Sequence, residues 1–317
     1  MSADLVEVTR SGTRECVHRG SLVLLDPGGA RTVALGSVDA PIFPRSTNKP
    51  WQAVAALRSG FVPGSSEELA IAAASHAGEP AHLQHVRAIL ARHGIDEAAI
   101  AAPPSLPANE RERALAIAAD APPSPAYMEC SGKHAAMLAA CAVNDWPLES
   151  YLDPAHPMQL AVIEALAEFG GEDEPDLGID GCGLPIVPLT LAQLAASFAR
   201  LVSAPIASPE ASVADAMRRH PYLVSGTGAD DLALMSTVDG LVCKTGADGV
   251  FAGAFADGTA FAFKIDDGGE RARLPLAAAL AERHLGSSDE DLAALASRPV
   301  LGGGVRVGTV RAVPGIL

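Results

Sequence analysis

In the stretch RSTNKPW, Ser46 stands three residues before Lys49, and Pro50 follows the lysine directly. A serine hydroxyl is a weak nucleophile until a base takes its proton, and a neutral lysine amine within reach can be that base while a carbonyl is attacked. Residues three apart in a helix or tight turn lie on one face, so the spacing lets the two side chains meet. Pro50 lacks an N–H and suits only the first turn of a helix, and it steers Lys49 away from the α region. The helix is therefore expected to start near Pro50, with Ser46–Lys49 as the turn that enters it. Backbone N–H groups at that entrance could also hold an oxyanion. A polar turn ahead of a buried helix would have the same sequence.

Three further stretches carry reactive side chains. KTGADG, Lys244 to Gly249, reads as a strand running into a turn; Lys-Thr-Gly recurs with Ser-x-x-Lys in serine enzymes, and a second ammonium near Lys49 would disfavour charging both. A strand lysine beside a hairpin glycine fits it equally. In SHAGE, Ser75 and His76 are neighbours that point apart along a helix, so Ser75 would need a base from elsewhere or would simply end a helix ahead of Gly78. ECSGKHAAM sets Cys130 at turn spacing from Lys133 and His134, while GIDGCGLP puts Cys182 in a Gly-Cys-Gly turn after Asp180. Two thiolates and a nitrogen could bind zinc, although no C-x-x-C is present. CSGKHA also reads as a glycine turn opening a helix, with N–H groups for a carboxylate and Lys133 for its charge, and Asp180 could receive an ammonium. Buried cysteines in two ordinary loops are the plainer account.

The elements that must position these residues follow from periodicity. Leu5–Val8, Ser21–Leu25 and Thr32–Leu35 read as strands, with DPGG turning the last two into a hairpin. Helices are expected from Pro50 to a Gly60 cap, after a Ser65–Glu68 capping box, over PAHLQHVRAILARHG, and over Glu110–Ala119, Lys133–Val143, Met158–Phe169, Leu191–Val202 and Ser208–Arg219. Strands return around Phe251, Phe255, Phe261 and Phe263 and end near Asp266. Pro275–His284 reads as a helix and the tail as irregular. Strands at both ends of a helical middle predict an α+β sandwich, a single domain over 1–317 with a helical subregion over about 50–235, the terminal segments sharing one antiparallel sheet.

Composition narrows the function classes. The 317 residues are 49% apolar, enough for a sizeable core, but only 4% aromatic. Lys+Arg number 23 against 38 Asp+Glu, a formal charge of −15, which argues against nucleic acid and anionic lipid and for a small-molecule substrate. Five scattered cysteines point to reduced thiols. The N-terminus lacks the pattern of an export signal and no long apolar run occurs, so a cytoplasmic protein off the membrane is expected.

FPRSTNKPWQAVAALRSG, ASHAGEP, CSGKHAAMLAAC, DGCGLP, HPYLVSGTG and CKTGADGV occur in the order found in the asparaginase II family, a third structural type of L-asparaginase, and the chain resembles that family from about Glu15 to Gly268. The resemblance implies a fold similar to serine β-lactamases, penicillin-binding proteins and glutaminases. It implies hydrolysis of L-asparagine to aspartate and ammonia by Ser46, Lys49, Ser75 and Lys244 as two Ser-Lys pairs in one site; which serine attacks stays open, and our reading favours Ser46 with Lys49 as base and Ser75 with Lys244 as the second pair. Arg45, His76, Cys130, Lys133, Asp180 and Cys182 would bind substrate, and Cys130, Lys133 and Cys182 would hold zinc. No organic cofactor is implied, and a homodimer is expected. The rival readings are a glutaminase or β-lactam-reactive serine hydrolase of the same fold, and a silent zinc- or amino-acid-binding protein. Two positions depart from the family pattern: Glu129 stands where Asn is expected, and Trp51 where a smaller apolar residue is usual.

Overall fold

The computed structural model describes residues 1–169 and 176–317. The chain divides into two units. One comprises Met1–Thr47, Leu189–Ser203 and Ala233–Leu317, and the other Asn48–Pro188 and Ala204–Leu232.

In the first unit β1 (Ala3–Arg10), β2 (Thr13–Leu25) and β3 (Arg31–Leu35) join five C-terminal strands in one antiparallel sheet. Its order is Ser297–Gly302, Val305–Ala312, β1, β2, Ala260–Ile265, Val250–Ala254 and Val242–Thr245, with β3 also pairing β2. The terminal segments thus share a sheet, as the α+β reading expects. β2 is much longer than the apolar run Ser21–Leu25 that marks it in the sequence. Its first half is polar, and on it Arg14 and Arg19 pair with Asp4 while Glu15 pairs with Arg10. Its second half, Leu22 to Leu25, is buried. Phe251 stacks on Phe261 and Phe263, with ring centroids 6.1 and 5.5 Å away. The helix Leu191–Ser203 packs on β2 and the strands Val250–Ala254 and Ala260–Ile265, burying Leu194, Phe198 and Leu201.

The tail corrects the sequence reading. It is not irregular: it folds as a helix, Glu290–Ala296, capped by the Asp289 carboxylate on the Leu292 N–H, and then a hairpin. Gly303 (φ +57°) and Gly304 (φ +83°) form its turn, which requires the left-handed backbone that glycine adopts without strain. Pro299 and the glycine run masked the alternation of VRVGTVRA.

The second unit is helical: α1 (Lys49–Arg58), α2 (Ser66–Ala72), α3 (Pro80–Arg92), α4 (Glu110–Ala118), α5 (Ser131–Val143) and α6 (Pro157–Ala167), followed by Pro209–Arg219 and Pro221–Ser225. A 3-10 turn, Arg45–Asn48, leads the chain into α1, which starts at Lys49 with Pro50 second. Every α1 residue from Lys49 to Ala56 is buried. Trp51 is among them, edge-on to Phe169 with centroids 4.5 Å apart, so its large ring fills core. Ser65 caps α2 by accepting the Glu68 N–H, and the buried Glu68 carboxylate accepts both terminal nitrogens of Arg92 at 2.6 and 2.5 Å. Gly132 lies inside α5, not in a turn before it. A Cβ there would sit 2.1 Å from the Ile71 carbonyl oxygen, so this glycine lets α5 cross α2 at close range.

Candidate active site

α2 ends at Ala72, and the chain from Ala74 to Glu79 runs without regular structure between two other segments of the second unit. The Ser75 N–H donates to the Val224 carbonyl at 2.9 Å, and the His76 N–H to the Glu129 carbonyl at 3.1 Å. Ser75 is thereby presented to α1. Lys49, fully buried as the first residue of that helix, places Nζ 2.7 Å from Ser75 Oγ and 2.7 Å from the Ala74 carbonyl oxygen. The Ser-x-x-Lys spacing favours a Ser46–Lys49 pair; in the structure Lys49 hydrogen-bonds Ser75, 26 positions along the chain.

His76 is 1% exposed and both its ring nitrogens are engaged. Nδ1 accepts from the Gly78 N–H at 3.1 Å, so Nε2 carries the proton and donates to Ser131 Oγ at 2.8 Å, and Ser131 in turn donates to the Ala126 carbonyl. Burial drives its pKa well below the ordinary imidazole value, and the charges of His82 and Lys49 push the same way.

At the start of α5 lies a thiol pair. Cys130 and Cys182 are buried free thiols, and the Cys182 pKa is lowered by a hydrogen bond to Cys130, against burial and with help from the charge of Lys133. The Cys130 pKa is raised well above the thiol value by the same bond and by burial. Lys133 is fully buried, which works against its charge, yet Cys130, Cys182 and Asp180 outweigh burial and its pKa is raised. Its Nζ lies 3.9 Å from Asp180 Oδ2.

His134, at turn spacing from Cys130, lies beside the same thiol pair. It is wholly buried and its Nδ1 bonds the Tyr151 hydroxyl at 2.6 Å; burial lowers its pKa, and the Cys182 sulfur works the other way. Glu129 turns its side chain to solvent and contributes its carbonyl to His76.

In the first unit, Ser46 is 8% exposed on the 3-10 turn Arg45–Asn48. Lys244 is fully buried on the strand Val242–Thr245, with Nζ 3.1 Å from the Thr245 carbonyl. Gly246, just past that strand, has room only for hydrogen: a Cβ would approach the Pro44 carbonyl to 2.8 Å and Thr47 Cγ2 to 3.2 Å, so the strand end and the Ser46 turn are packed together. Arg45 sits in the left-handed region (φ +53°) and forms an ion pair with Asp248 of the KTGADG stretch. The two line a cleft of about 440 Å³ with Phe43, Lys264, Asp266 and Asp267.

A family model for L-asparaginase II matches residues 6–312, nearly the whole chain. The chain belongs to the L-asparaginase II family. A comparison with curated proteins finds no match. Membership of the L-asparaginase II family makes this an asparaginase-type amidohydrolase with a small-molecule substrate. Among the described residues, no helix is long and apolar enough to cross a membrane.

Proposed function

We propose that this member of the L-asparaginase II family hydrolyses the side-chain amide of L-asparagine, with Lys49 as general base and Ser75 as the hydroxyl it activates. The observation that carries the reading is the 2.7 Å contact between Lys49 Nζ and Ser75 Oγ, with the amine also anchored on the Ala74 carbonyl. A neutral amine has two hydrogens and one lone pair. With one N–H held by Ala74, the lone pair can face the Ser75 hydroxyl. Ser75 Oγ then bonds to the amide carbon as its proton passes to Lys49; the C–N bond breaks, ammonia leaves with the proton returned by Lys49, and water cleaves the ester with the same amine as base. Ser46 and Lys244 remain proposed catalytic residues. Lys133 and Asp180 carry the opposite charges suited to the carboxylate and ammonium of an amino acid, and Arg45, His76, Cys130 and Cys182 remain proposed substrate-binding residues. The antiparallel sheet built from both chain ends supports a β-lactamase/glutaminase-like fold.

Zinc belongs to the proposal. Among the described residues, no group of three His, Cys, Asp or Glu side chains is set to hold a metal. The two soft sulfurs of Cys130 and Cys182 nevertheless suit zinc, with Lys133 as the nitrogen ligand in place of its role as the carboxylate-binding cation. When bound, zinc would keep both sulfurs ionised and offset their charge beside the substrate carboxylate.

A panel of L-asparagine, L-glutamine and a β-lactam tests the substrate assignment. The expected result is kcat/KM for asparagine above that for glutamine by about 10–200-fold, the range one methylene is worth in a fitted pocket. Preference for glutamine or opening of the lactam would replace the substrate, and no turnover of any would leave a binding protein.

A further inference from the structure

Glu79 is a buried carboxylate, 7% exposed, four residues beyond Ser75, and no step above uses it. It accepts four hydrogen bonds: Oε1 from Asn109 Nδ2 at 3.1 Å and the Thr227 N–H at 2.9 Å, Oε2 from the Tyr222 hydroxyl at 2.5 Å and Thr227 Oγ1 at 3.0 Å. Three of the four come from the segment Tyr222–Thr227, at the end of the helix Pro221–Ser225, which also carries the Val224 carbonyl that holds the Ser75 N–H. A second tie runs beside the first. The Glu79 N–H donates to His82 Nδ1 at 3.1 Å, so His82 Nε2 bears the proton and donates to the Tyr222 carbonyl at 3.1 Å. Gly226, at φ +111°, presses Tyr222–Thr227 onto Ser75–Glu79: a Cβ there would lie 2.6 Å from Ala77 Cβ. The segment Ser75–Glu79 is therefore clamped to Tyr222–Thr227 at both ends, at the front by a single backbone bond and at the back by the carboxylate.

We propose that Glu79 is a positioning residue for the Ser75–Lys49 pair, holding the Val224 carbonyl, and through it Ser75, where Lys49 can reach the hydroxyl. The proposal rests on the catalytic reading above. Geometry, not charge, carries the effect. A glutamine can keep its carbonyl oxygen toward the Thr227 N–H and Asn109 while its amide nitrogen donates to the hydroxyl oxygens of Tyr222 and Thr227, since hydroxyls accept as well as donate. A leucine can do neither.

The test combines hydrogen exchange at the Ser75 amide with steady-state kinetics in Glu79→Leu and Glu79→Gln. In the leucine variant, Ser75 exchange should quicken by about tenfold or more. Its kcat should fall by about ten- to a hundredfold with KM moved less than about threefold, as a displaced reacting group requires. The glutamine variant should restore both readouts to within about threefold of the parent. Glu210→Gln, which removes a buried carboxylate paired to Arg58 elsewhere in the same unit, should lower Tm and leave both readouts unchanged. Should Glu79→Leu fail to fold, Tyr222→Phe combined with Thr227→Val removes two of the four bonds and should move both readouts the same way. Unchanged Ser75 exchange, quickened exchange with unchanged kcat, or a glutamine variant as impaired as the leucine one would each overturn the proposal. If the parent protein releases no ammonia from asparagine, the catalytic reading fails by itself, and the exchange measurement alone decides whether Glu79 positions Ser75.

Discussion

Lys49 is buried in the first turn of α1, where its amine bonds the Ala74 carbonyl and the Ser75 hydroxyl. Lys49→Met keeps most of the stem and removes the base, so kcat should fall by about 10²–10⁴-fold while the fold survives, as circular dichroism would check. Because the pair acts as a unit, Lys49→Met combined with Ser75→Ala should be little worse than either alone. Proton removal needs the neutral amine, so kcat/KM should rise toward alkaline pH; a flat profile would count against a lysine base. The histidines make a separate prediction about stability. Burial lowers the pKa of His76, His82 and His134, so between those depressed values and about 6.5 the unfolded chain binds protons that the folded one does not. Stability therefore rises with pH across that window. Tm should drop as pH falls from 7 to 5, and His76→Gln should flatten the slope. At this scale the sequence showed the reactive residue types but not the Lys49–Ser75 pairing, because a 26-residue separation closed by tertiary packing leaves no local spacing to read.

Element positions were more legible. Pro50 marks the entrance of α1, Ser65 caps α2, and the α5 boundaries fall within two residues of the apolar periodicity. What could not be read was the reason for Gly132. In CSGKHA it looks like a turn glycine, but its work is to admit the Ile71 carbonyl, a neighbour 61 positions away that only the packed structure supplies. Gly132→Ala should force α5 off α2 and destabilise the protein by about 1–3 kcal/mol, measured by urea unfolding. It should also lower activity, since Cys130, Lys133 and Ser131 ride on the same helix start. A fully stable and active alanine variant would mean that the contact relaxes without cost. The C-terminal hairpin escaped for another reason: its strands are half-exposed, so their apolar alternation is diluted by arginine and glycine.

Across the whole molecule, the chain passes between the two units four times, at 47/48, 188/189, 203/204 and 232/233, so neither unit is one continuous segment. Unfolding one while keeping the other would leave chain ends pinned at several points, and a single cooperative transition is expected. Both tryptophans, Trp51 and Trp146, belong to the helical unit, whereas far-ultraviolet circular dichroism reports on both units, so the two probes should give coincident urea curves. Separated curves would show independent units. The formal charge of −15, the shared sheet of the chain ends and the helical stretch over about 50–235 were visible from sequence; the return of Leu189–Ser203 to the first unit was not, since no linker or composition shift marks it. Protein purified without chelator should carry close to one zinc per chain, and chelation should raise KM more than it lowers kcat; elemental analysis finding none would remove zinc from the account. The most direct test is ammonia release from L-asparagine by the purified protein beside Ser75→Ala and Ser46→Ala, with the reaction quenched to trap any acyl-enzyme. The account predicts turnover by the parent protein, an acyl group on Ser75, and its loss in Ser75→Ala but not in Ser46→Ala; no ammonia from the parent, or an acyl group on Ser46, would contradict it.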